Sequence, residues 1–205
     1  KNLYSKERWV IKFCRANMLL PWLVTHFTLR PPIYLLRHPC AVVSSQLRHA
    51  AFDGLGDTYH IPHIRYDDLF RQYEHVLSSV STRVEKLAAW WAIDNVLPLQ
   101  SKHHNKSWVT ITYEELLLAT MNTLQRVYER LGLPIPEHVA QHILKPSSTT
   151  QKDSKLLKGG NQLAAWQDNL TPEEIDQVLK TVHAFGIDIY TDALEPDYEK
   201  LYGAV

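Results

Sequence analysis

The stretch Ile33-Tyr34-Leu35-Leu36-Arg37-His38-Pro39 constrains this chain more than any other. Pro31-Pro32 introduces an apolar run of strand length, and Arg37-His38-Pro39 ends it. Pro39 carries the fixed φ of a first helical turn, so a helix is predicted over Ala41 to Ala51. A buried strand that delivers an arginine to its carboxyl end and passes directly into a helix is a unit of an α/β sheet. In such sheets ligands bind outside the carboxyl ends of the strands. The first-turn amides of the new helix lack intrahelical partners and add a partial positive charge there.

The rest of the chain fits the same class. Trp9 to Phe13 is a short apolar run, read as a buried strand. Trp108 to Tyr113 is a clearer one, rich in β-branched and aromatic side chains. Thr82 to Leu99 carries Val84, Leu87, Trp91 and Val96 near one face of a helix, and there Trp90-Trp91 reads as core. Glu114 to Leu131 carries Leu117, Met121, Leu124 and Val127, then stops at Gly132 with Pro134 beyond. Thr171-Pro172-Glu173-Glu174 is a capping box, and its helix is predicted to run to Gly186. Strands separated by helices pair in parallel. The expectation is therefore a single α/β domain over residues 1–205. It has a short central parallel sheet of three or more strands covered by helices, and a helix-rich C-terminal half. Asp53 to Pro62 and Pro146 to Asn161 read as polar loops of the kind that carry function.

Charge and cysteine usage narrow the function. Lys plus Arg equals Asp plus Glu at 22 each, so no global field favours nucleic acid. A small anion held by a few local cations remains compatible. Cys14 and Cys40 stand in no metal-ligand spacing, and the eleven histidines show no H-E-x-x-H pattern, so no metal is expected. Both cysteines are read as free thiols of a reducing compartment, which points to the cytoplasm. No apolar run reaches membrane-spanning length; Met18 to Val24 is far too short and contains Pro21. Asn105-Lys-Ser107 and Asn169-Leu-Thr171 match the glycosylation pattern at a rate near chance.

Arg37 offers a planar fork of donors matched to phosphate oxygens. Ser45, six residues past Pro39, falls on the second turn and can add a hydroxyl to the same anion. The residues alone leave two readings open. Either Arg37 and Ser45 grip a phosphate, or Arg37 pairs with a carboxylate and Ser45 faces a helix neighbour.

The run Arg37-x-Pro39-x-x-x-x-x-Ser45 after an apolar strand resembles the 3′-phosphate motif of sulfotransferases that use PAPS, 3′-phosphoadenosine-5′-phosphosulfate. That resemblance implies a P-loop-type α/β fold, PAPS as donor, 3′-phosphoadenosine-5′-phosphate (PAP) as product, and no metal. It implies that Arg37 and Ser45 hold the 3′-phosphate. Lys12, expected to end the first strand, sits where the family has a lysine beside the transferring sulfuryl group. Tyr113-Glu114-Glu115-Leu116 resembles the family's Tyr-Glu-Asp-Leu segment, whose Tyr lies near the nucleotide. Leu131-Gly132-Leu133-Pro134 matches its helix-ending signature. Lys158-Gly159-Gly160, followed by Trp166, resembles its late loop that closes over the 3′-phosphate.

Two family features have no counterpart in the sequence. The Gly-, Ser- and Thr-rich loop for the 5′-phosphosulfate is not found, and the expectation is that it precedes Lys1. Cys14 stands where cytosolic members have a catalytic His, which leaves His26 and His38 as nearby alternatives for the base. The implied acceptor is a hydroxyl or amine of a small molecule or glycan. Alternative readings are a non-catalytic or truncated domain of this kind, and a nucleotide kinase. The kinase would need a Gly-Lys-Ser/Thr loop that the sequence does not provide.

Overall fold

The computed structural model describes residues 10–14, 16–49, 67–137, 139 and 162–203. Two strands pair in parallel among them, β1 (Ile33–Leu36) and β2 (Val109–Thr112), with Leu36 opposite Thr112. The α/β class and the parallel pairing hold, while a third strand is not seen among the described residues.

The helices follow their sequence signals closely. A short 3-10 turn (Asn17–Leu19) leads into α1 (Leu20–His26). β1 feeds α2 (Pro39–Leu47), which starts at the proline and ends four residues before the predicted limit. α3 (Asp67–Gln72) and α4 (Glu74–Ser79) precede α5 (Arg83–Gln100). Thr82 caps α5: its hydroxyl accepts the Glu85 amide while the Glu85 carboxylate accepts the Thr82 amide.

The helix expected over Glu114 to Leu131 is two: α6 (Tyr113–Leu118) and α7 (Thr120–Leu131). Ala119 leaves helical geometry at φ −130°, ψ 46°. Threonine hydroxyls satisfy carbonyls around the break, Thr120 donating to Leu116 O and Thr123 to Glu115 O and Ala119 O. Gly132 ends α7 at φ 61°, a left-handed conformation that glycine adopts without penalty. α8 (Pro172–Ala184) begins with the predicted capping box at Thr171, and α9 (Tyr198–Tyr202) closes the described chain.

α5 is the central support of the core, packing against α8, α2 and the 3-10 turn. On the sheet face toward α5, Tyr34, Leu36, Thr110 and Thr112 are all buried. Tyr34 donates to Asn95 of α5 at 2.6 Å, and Trp91 is buried in the same layer. The opposite face is half covered. Val109 and Ile111 of β2 lie under Val127 and Leu131 of α7, but their β1 neighbours Ile33 and Leu35 remain about half exposed.

The strand expected over Trp9 to Phe13 is not formed where it is described. Val10, Ile11 and Phe13 are largely exposed and irregular, and Trp9 lies outside the described residues. Strand propensity does not suffice without a neighbouring edge to take the ladder of hydrogen bonds. The loops expected over 53–62 and 146–160 also lie outside the described residues, as does Asn161.

Candidate functional site

Parallel pairing puts the carboxyl ends of β1 and β2 side by side, so Arg37 and Tyr113, each the residue after its strand, become neighbours. The Arg37 guanidinium carbon lies over the Tyr113 ring, 4.5 Å from its centre. A cation held over an aromatic face gains on the order of 1 kcal/mol and has its plane fixed. The Tyr113 hydroxyl donates to Gln162 Oε1 at 2.7 Å. Arg37 Nε is buried and finds no hydrogen-bond acceptor, and Arg37 forms no ion pair with a carboxylate among the described residues. Of the two readings the sequence left open, carboxylate pairing therefore finds no support among those residues.

The backbone behind Arg37 is held at several points. Its carbonyl accepts the Trp91 indole N–H at 3.2 Å. The next amide, His38 N–H, donates to Glu114 Oε1 at 2.9 Å, and the Tyr190 hydroxyl donates to Glu114 Oε2 at 3.3 Å. Glu114 is 2% exposed. Burial raises its pKa, opposed by these two donors and by the nearby Arg37 charge.

His38 caps α2. Its Nδ1 accepts the Cys40 amide at 3.2 Å while Nε2 donates to the Thr191 carbonyl at 3.0 Å. The ring stacks on Trp166 at 4.6 Å and meets the edge of Tyr190. Burial lowers its pKa to about 4; the hydrogen bond to the Thr191 carbonyl opposes that shift and the nearby Arg37 charge adds to it. A ring enclosed and committed in this way is not available to take a substrate proton, which removes His38 as a candidate base. Trp166 is likewise buried core rather than a ligand platform.

The N-terminus of α2 differs from the sequence expectation. Pro39 has no N–H, Cys40 N–H is taken by His38, and His38 N–H is taken by Glu114. Most of the amides expected to face an anion are thus used inside the fold. Among the described residues, Arg37 supplies a positive charge at this edge.

The remaining predicted site residues are distributed as follows. Ser45 is exposed on the outer side of α2, while its neighbour Ser44 is buried. Lys12 is exposed in irregular chain, not at a strand end. Lys158, Gly159 and Gly160 lie outside the described residues; Gln162, the Tyr113 partner, follows Gly160 by two positions in the sequence. His26 lines a cavity of about 360 Å³ with Phe27, Leu29 and Ser107. Leu29 and Ser107 precede the two strands, so this cavity is at the amino-terminal end of the sheet, opposite Arg37. His26 therefore lies away from Arg37. Cys40 is buried, which pushes its thiol up to about 12, and Cys14 is exposed; both are free.

Glu114 is the site residue that sequence reasoning passed over. Its neighbours divide the other tasks: Tyr113 carries the guanidinium, and Glu115 caps α6 while accepting from Arg126 and Tyr202. The available signal was an acidic pair directly after a strand, of which the capping box needs one member.

No group of three metal-ligating side chains occurs among the described residues, and no described helix is long and apolar enough to cross a membrane. A family model described as "Sulfotransferase family" matches residues 3–137, a span that includes Lys12, Arg37, Ser45, Tyr113 and Glu114. No curated protein and no solved structure matches the chain.

Proposed function

The chain belongs to the sulfotransferase family, and on that premise we propose that it binds PAPS through Arg37 and passes the sulfuryl group to a hydroxyl or amine of a small-molecule or glycan acceptor. The observation that carries this reading is the state of Arg37. Its guanidinium is stacked on Tyr113 at the carboxyl edge of a parallel sheet, with Nε buried and lacking an acceptor. Such a donor costs about 1–3 kcal/mol while unpaired. A phosphate bound by the other N–H groups of the guanidinium would add charge-assisted bonds.

In this reading the 3′-phosphate sits on Arg37, with the exposed Ser45 hydroxyl adding a second donor from α2. Tyr113 orients the guanidinium and borders the nucleotide. Lys158, Gly159 and Gly160 are assigned to close over the same phosphate on the strength of the family resemblance. The acceptor oxygen or nitrogen attacks sulfur in line as the bond from sulfur to the bridging phosphate oxygen breaks; PAP departs with the electron pair, and the proton of the acceptor O–H or N–H is released to solvent. Negative charge grows on that bridging oxygen, so a cation placed there stabilises the transition state. Lys12, exposed and uncommitted to any strand, is assigned that role. The chemistry requires no metal.

Comparison of PAP with adenosine 5′-monophosphate tests the reading by calorimetric titration. PAP binding tighter by at least about tenfold is expected, since one charge-assisted contact contributes roughly 1.5–3 kcal/mol. Equal affinities would remove the 3′-phosphate from the site.

A further inference from the structure

Glu114 is a buried carboxylate that local structure does not require. The α6 capping box is completed by Thr112 and Glu115, so Glu114 is not needed to start the helix. Burying a carboxylate costs several kcal/mol, and an apolar side chain of similar volume packs such a position at least as well. Its retention at 2% exposure implies a task for its oxygens.

The hydrogen bonds identify the task. The peptide unit joining Arg37 to His38 has its carbonyl held by Trp91 of α5 at 3.2 Å and its N–H held by Glu114 of α6 at 2.9 Å. Because the peptide is planar, fixing both polar groups fixes the plane. The directions of the chain on either side then follow. On one side is the Arg37 side chain, stacked at 4.5 Å on Tyr113, the residue next to Glu114. On the other is His38, locked by Cys40, Thr191 and Trp166. The second Glu114 oxygen is occupied by the Tyr190 hydroxyl at 3.3 Å, which ties the carboxylate to the C-terminal segment.

We propose that Glu114 is a positioning residue for Arg37: by holding the His38 amide it fixes the Arg37–His38 peptide and so aims the guanidinium across Tyr113 at a ligand phosphate. This rests on the reading of Arg37 as the 3′-phosphate residue. Glu114 does not itself touch the ligand; its acceptor oxygen is what counts, and reach matters more than charge. A glutamine presents an amide oxygen at the same distance. An aspartate keeps the charge but draws the acceptor back by about 1.5 Å, one carbon–carbon bond.

The test measures dissociation constants of the full chain for PAP and for adenosine 5′-monophosphate in the wild type, Glu114→Gln, Glu114→Asp, Glu114→Ala, Arg37→Ala and the Arg37→Ala/Glu114→Ala pair. Expected is a PAP preference retained within about twofold in Glu114→Gln. Glu114→Asp and Glu114→Ala should lose it by about tenfold with little change for adenosine 5′-monophosphate. The double variant should be no weaker than Arg37→Ala alone, because the two residues act as a unit. Loss of affinity for both nucleotides in parallel, or an unchanged preference in Glu114→Asp, would overturn the proposal and leave Glu114 as a structural residue. If Glu114→Ala does not fold, the Asp and Gln variants decide by the same criterion. An unchanged preference in Arg37→Ala is a different failure: it removes the reading of Arg37, and Glu114 falls with it.

Discussion

The Arg37 guanidinium carbon lies over the Tyr113 ring, 4.5 Å from its centre, and the two residues directly follow neighbouring parallel strands. Arg37 is therefore supported by an aromatic surface, and among the described residues no carboxylate forms an ion pair with it. A carboxylate in that place would neutralise the charge that an anionic ligand needs. An aromatic face orients the cation and leaves its charge intact.

Tyr113 variants separate the ring from its hydroxyl. Tyr113→Phe keeps the face and loses the bond to Gln162, whereas Tyr113→Ala loses both. PAP affinity measured by calorimetry is expected to fall by about 1 kcal/mol in the alanine variant and by less in the phenylalanine variant. Equal losses would assign the effect to the hydroxyl.

Acid stability should report the state of His38. The folded ring titrates at about 4 against 6.5 for a free histidine, so between those pH values the unfolded chain takes up a proton that the folded chain refuses. Stability therefore falls as the pH drops through that window, by about 3 kcal/mol for this residue. Glu114 acts in the opposite sense, because its raised pKa favours the folded chain at low pH. Urea unfolding at pH 4.5 and pH 7 should show a smaller loss in His38→Asn than in the wild type. Equal losses would contradict a buried neutral ring.

The half-covered sheet makes a contrast between adjacent residues. Leu36 is 1% exposed and Leu35 is 51% exposed. Leu36→Ala should cost about 2–5 kcal/mol in denaturant unfolding, and Leu35→Ala well under that, since little apolar area is lost and no cavity forms. Comparable costs would mean that the outer face of β1 is packed.

Local signals in the sequence carried much of the architecture. The Pro39 start of α2, the Thr82 start of α5, the capping box at Thr171 and the Gly132 stop of α7 are short-range effects, complete within a few residues. The strand read at Trp9 to Phe13 failed because a strand requires a partner that the run itself does not encode. The division of α6 from α7 escaped periodicity because threonine hydroxyls, not a proline or glycine, stabilise the break. In the site, Arg37 was legible as a cation at a strand end. The consumption of the α2 amides was not, because the Glu114 that takes His38 N–H lies 76 positions away. Nor could sequence reveal that Trp166 and His38 stack on each other across the core.

The measurement that bears most directly on all of this is the binding of PAP and adenosine 5′-monophosphate to Arg37→Ala beside the wild type. A guanidinium that grips the 3′-phosphate predicts a loss of at least about 2 kcal/mol for PAP, roughly thirtyfold, with adenosine 5′-monophosphate nearly unaffected. PAP affinity that survives the substitution would contradict the assignment.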